Sequence, residues 1–175
     1  IFIAPTVTAG SVTAVADDTI TLTGAITSGS FNGTIGQDSG AITITNIGAS
    51  ELTADVKNGT LNYTSSGAVT VNSVSGGTGS VTITGTTVND HASDTTSDIT
   101  ADTINVTGSS GVGNSAPLDI ASATTITLLA TSGNIDVDHV ADAASTIDNL
   151  QTGAGTVDFD QTGSQSLGIT IASTT

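Results

Sequence analysis

The chain has 175 residues, with sixteen acids against the single base Lys57 and no cysteine, methionine or tryptophan. A net charge of −15 leaves no basic patch to neutralise phosphates, which excludes nucleic acid and anionic membranes as partners. The missing thiols exclude disulfides and thiolate metal sites, and no apolar run reaches the roughly 18 residues of a membrane span.

Apolar-polar alternation rich in β-branched residues predicts strands from Thr6 to Ala14, Thr19 to Thr23, Ala41 to Ile47, Leu52 to Val56, Thr60 to Tyr63 and Ala68 to Val74. Further ones follow from Ser80 to Thr84, Asp102 to Val106, Thr125 to Leu129, Asn134 to Val137, Thr156 to Phe159 and Leu167 to Ile171. Gly, Ser, Asn and Asp fill nearly every gap, which is turn chemistry. Two stretches depart from the pattern. Gly85 to Thr100 is polar and acidic and reads as a loop thrown out from one corner. Residues 139–151 space Val140, Ala143, Ala144, Ile147 and Leu150 as one face of a short helix, with Asp138 as N-cap and Gly153 just past the end. A wider coil is the alternative there.

The strands repeat one phrase. Gly133-Asn-Ile135-Asp-Val137 and Gly155-Thr-Val157-Asp-Phe159 stand 22 residues apart, and variants open at Gly40, Gly67 and Gly79. Ile20 to Ile42 and Ile104 to Ile126 are also steps of 22, and Val81 to Ile104 is a step of 23. A fixed step of one coil length marks a solenoid, in which each turn buries its apolar residues on the next. Residues 1–175 therefore read as one all-β domain, a right-handed parallel β-helix of about eight coils, on the order of 40 Å long at the strand spacing. A β-sandwich of the surface-layer type is the alternative and accounts less well for the 22-residue step.

The Gly-x-[Ile/Val]-x-[Ile/Val] phrases, the near-22 step and the Thr/Gly/Ala/Asp composition resemble the repeats of filamentous-haemagglutinin-like adhesins. The resemblance implies a parallel β-helix and an extracellular or cell-surface location, in a mature product or a piece of a longer secreted protein. Threonine supplies about one residue in five and only 10% of residues are charged, a composition common among large bacterial surface proteins.

The chemistry that the sequence offers is sparse. Asp136 and Asp138, on one strand, recur as Asp158 and Asp160 one coil later, so the four carboxylates should stack about 5 Å apart and favour a divalent cation such as Ca²⁺. The other reading is four solvated outward positions. The calcium-binding Gly-Gly-x-Gly-x-Asp phrase is missing, since Gly76-Gly77-Thr78-Gly79 ends in Ser80. Asp90-His91-Ala-Ser-Asp94 and Asp138-His139-Val-Ala-Asp142 share a motif that suits a metal or an acid-base pair, or merely caps and turns. Glycoside cleavage needs two acids in a cleft, usually floored by aromatics, and the chain has only three Phe and one Tyr. Thr-x-Thr phrases raise ice binding, but Asn, Asp and Gly interrupt the ladder.

The expectation is a non-enzymatic extracellular structural protein that associates with itself in a surface filament or layer. An adhesin stalk contacting cell-surface or matrix glycans is the alternative. A solenoid exposes an unpaired strand edge at each end, and neither Ile1-Phe2-Ile3 nor Leu167-Gly-Ile169-Thr-Ile171 reads as a polar cap. Ile1, Phe2, Ile3, Leu167, Ile169 and Ile171 are therefore the expected junction residues.

Overall fold

The computed structural model describes residues 2–3, 7–23, 26–36, 40–48, 51–91, 95–121, 123–163 and 167–169. These residues form sixteen strands and no helix. In chain order the first eight are β1 (Phe2–Ile3), β2 (Val7–Ala16), β3 (Thr19–Leu22), β4 (Ile26–Ile35), β5 (Ala41–Ile47), β6 (Glu51–Asp55), β7 (Thr60–Ser65) and β8 (Val69–Gly85). The remainder are β9 (Val88–Asp90), β10 (Ile99–Gly108), β11 (Leu118–Ala121), β12 (Thr125–Ala130), β13 (Ile135–Val140), β14 (Ser145–Thr152), β15 (Val157–Thr162) and β16 (Leu167–Ile169).

Every pairing among the described strands is parallel, so the chain is a β-solenoid and the hairpins of a sandwich do not occur there. One face stacks β1, β3, β5, β7, the end of β8, the end of β10, β12, β14 and β16. Its register aligns Ile20, Ile42, Leu61, Val81, Ile104, Ile126 and Ile147 in one interior column, with steps of 22, 19, 20, 23, 22 and 21 residues. These side chains are at most 1% exposed. Each contributes about 1.5–3 kcal/mol of burial, and each needs the coil on either side to do so. The six steps from Ile20 to Ile147 are six full turns, and one further step at each end brings the stack to the eight expected. The short pairs β1–β3 and β14–β16 extend the ladder at its two ends.

At one corner the glycine that opens the phrase has a steric cause. Gly40, Gly59 and Gly79 precede the register partners Ala41, Thr60 and Ser80, so they stack at one corner. A Cβ on Gly59 would collide with the Gly40 carbonyl, and one on Gly79 with the Gly59 carbonyl. Those same carbonyls accept the N–H groups of Thr60 and Ser80, both at 2.9 Å, so they cannot turn away freely.

The expected helix over 139–151 is corrected to the end of β13 and most of β14. Ile126 pairs with Ile147 and Thr127 with Asn149, which leaves Asp148 as an extra, bulged residue. The bulge gives Ile147 and Leu150 a spacing of three while both face the core. That spacing imitates a helical face. The loop expected over 85–100 is corrected as well: it contains β9 and the first residues of β10, with Val88 and Ile99 fully buried. The strands β4 and β11 also lie outside the sequence reading. β4 contains Gly33, where a Cβ would meet the Phe31 ring at 2.8 Å and Ile42 at 2.9 Å. The aromatic ring fills that slot, so the apolar alternation is hidden in the sequence.

Candidate functional site: an aspartate column and two open edges

The second face carries an interior column Ala14–Gly33–Ala54–Val74–Ile99–Ile120–His139–Gln161. Flanking it, the pairs Asp119–Asp138 and Asp138–Asp160 are in register, and Ile99–Ile120 places Asp98 beside Asp119. Four aspartates thus stack at successive rungs, about 4.8 Å apart. Two positions earlier, Asp136 pairs with Asp158. The stacking expected of Asp136, Asp138, Asp158 and Asp160 is therefore the observed register.

Burial grades along this column. Asp98 and Asp119 are buried, Asp138 is half-buried and Asp160 is exposed. At the buried end a third acid joins: Asp90 of β9 is in register with Val71, a position that is apolar in the coils before it. One oxygen each from Asp90, Asp98 and Asp119 lies within 4.8 Å of the other two. The Asp119 N–H donates to Asp98 Oδ2 at 3.0 Å. Burial, with Asp90 and Asp119 adding to it, pushes the Asp98 carboxyl up to about 8, against that backbone hydrogen bond. At neutral pH Asp98 therefore holds a proton, which relieves the repulsion among three carboxyls. A hard divalent cation would want six to eight oxygen ligands, of which these side chains supply three.

At the exposed end, burial raises the Asp136 carboxyl, and the charges of Asp158, Asp138 and Asp160 raise it further. No base balances the column locally. Lys57 is engaged elsewhere, its Nζ donating to Asp55 Oδ2 at 2.7 Å. Burial opposes ionisation of Asp55, but the hydrogen bonds from Lys57 outweigh it and lower its pKa.

The two histidines do not share a site. His91 Nε2 is 3.9 Å from Glu51 Oε1 at the surface. His139 is 1% exposed in the interior, its ring centroid 5.9 Å from that of Phe159. Burial lowers its pKa, while Gln161 and Asp142 act in the opposite sense. Asp94 lies outside the described residues. A shallow groove on the first face is lined by Thr107, Leu129, Ala130, Thr131, Gln151 and Gly153, with no acid and no aromatic among them.

The ends of the rod differ from its middle. A third interior column runs Val69–Val88–Val112–Ile135–Val157. Its first four members are fully buried, and Val157 is 43% exposed. β15 pairs with β13 alone and β2 with β4 alone among the described residues. Of the expected junction residues, Phe2 and Ile3 form β1, in register with Thr21 and Leu22, and Leu167 and Ile169 lie in β16, in register with Ser145 and Ile147. Ile1 and Ile171 lie outside the described residues.

Sequence reasoning missed the Asp90–Asp98–Asp119 cluster and the β15 edge. Asp119 stands between Leu118 and Ile120 and looks like any outward residue of a strand. Only the coil lying beside it buries it. No known protein family, no curated protein and no solved structure matches the chain.

Proposed function

We propose that this chain is a structural rod, an extracellular subunit that associates with itself end to end in a surface filament or layer. One observation carries the reading: a column that is fully buried at Val69, Val88, Val112 and Ile135 ends at Val157 with 43% of that side chain exposed. An apolar column that stops in solvent, on a strand whose outer edge is unpaired among the described residues, favours a further parallel strand. The outward positions support a scaffold, since they carry mostly Thr, Asn and Asp. The extracellular setting rests on composition, above all on the absence of cysteine and the near-absence of basic residues.

Sedimentation velocity over a range of concentrations, with electron microscopy of the same samples, tests the reading. Polymers that lengthen with concentration support it. Dispersed monomers at high concentration refute it.

The same open edges favour a second reading, a stalk segment of a longer haemagglutinin-like adhesin whose neighbouring coils cover β2 and β15. In that case the flanking coding sequence continues the 19 to 23-residue steps seen along the first face.

A further inference from the structure

Resting on the self-association reading, we infer that copies join head to tail, the β15 edge of one copy continuing as a parallel ladder onto the β2 edge of the next. The internal columns fix the register. Ala14 opens the column that Gln161 closes, so continuing the column sets Gln161 beside Ala14 of the next copy. Phe159 then meets Val12, and Val157 meets Gly10. The sizes are complementary at each position. Phe159 and Val12 are both only partly buried against the core. Gly10 has open space where a side chain would stand, with nothing within 4 Å of an added Cβ. A large residue on one edge thus faces a small or uncrowded one on the other.

Charge sets the polarity. The β15 edge presents exposed Asp158 and Asp160. In a tail-to-tail junction these would face their own copies, and like charges directly opposite are unfavourable. Head to tail, Asp158 and Asp160 fall beside Ser11 and Thr13, which are exposed hydroxyl donors. The rod already uses that contact between coils: Thr124 Oγ1 donates to Asp102 Oδ1 at 2.9 Å, 22 residues back along the chain. The junction repeats an internal contact of the molecule.

The chain has no cysteine, so introduced thiols are its only ones. Full-length Ser11→Cys and Asp158→Cys variants are each first shown by sedimentation to associate as the unmodified chain does. They are then oxidised separately and mixed. Adjacent parallel strands hold their Cα atoms about 4.8 Å apart, within the range a disulfide spans. Disulfide-linked dimer in the mixture and none in either variant alone is the expected result, and a mixture of Ser11→Cys with Asp136→Cys, one coil out of register, should give none. Association accompanied by cross-links within Asp158→Cys alone, or within Ser11→Cys alone, overturns the head-to-tail polarity while leaving self-association standing. Absence of association in the unmodified chain overturns both.

Discussion

Ile135 and Val157 hold the same place in the same five-residue phrase, on β13 and β15 in neighbouring coils, and they are in register with each other. Ile135 is fully buried and Val157 is 43% exposed. The phrase is the same, so the difference comes from what lies beyond: among the described residues β13 has a strand on each side, and β15 has one. In this fold burial belongs to the neighbour rather than to the segment. The same rule separates two ends of the aspartate column, where Asp98 is buried under its surroundings and Asp160 stands in water.

The largest contrast should come from placing a charge in the middle and at the edge. Ile126→Asp puts a carboxylate in a fully buried column, and we expect it to abolish cooperative folding, a cost of several kcal/mol. Val157→Asp should change the denaturation midpoint of the single rod by less than about 1 kcal/mol. It should nonetheless remove concentration-dependent association. Chemical denaturation and sedimentation on both variants check the pair.

Next in size is the acid column. The folded pKa of Asp98, about 8, lies above its ordinary value of 3.8, so between those limits the folded chain binds a proton that the unfolded chain has lost. Stability is then fully present below about pH 4 and falls as pH rises toward 8, by on the order of 6 kcal/mol at about 1.4 kcal/mol per pKa unit. Asp98→Asn should flatten that fall and raise stability at pH 8. Urea denaturation of the unmodified chain and the variant at pH 5 and pH 8 reads the difference.

Smaller again is the corner. Gly79→Ala drives a methyl into the Gly59 carbonyl, with an expected loss of about 1–3 kcal/mol. Gly10→Ala meets nothing and should leave the fold of the single rod intact. The smallest effect is a gain. The Tyr63 hydroxyl is buried without a hydrogen-bond partner, so Tyr63→Phe should stabilise the rod by about 1 kcal/mol, seen as a rise in the thermal midpoint.

Much of the fold was legible because the first face writes it plainly. Ile20, Ile42, Val81, Ile104 and Ile126 sit in repeated phrases whose steps match the observed registers. What was hidden has physical causes. The bulge at Asp148 gave β14 a helical spacing, and the Phe31 ring replaced a side chain at Gly33 and broke the alternation in β4. Between residues 85 and 100, the polar Asn89, Asp90 and Asp98 disguised a buried rung as a loop. The stacking of Asp136 on Asp158 and of Asp138 on Asp160 followed from the 22-residue step alone. The closer gathering of Asp90, Asp98 and Asp119 did not, because a bulged register and short strands bring those three together.

The central claim, that the column ending at Val157 is completed by another copy, is most directly tested by hydrogen–deuterium exchange of the full chain in dilute and in concentrated solution. The prediction is that β15 exchanges quickly when dilute and becomes protected when concentrated, while β13 is protected in both. Equal exchange of β15 at the two concentrations would contradict it.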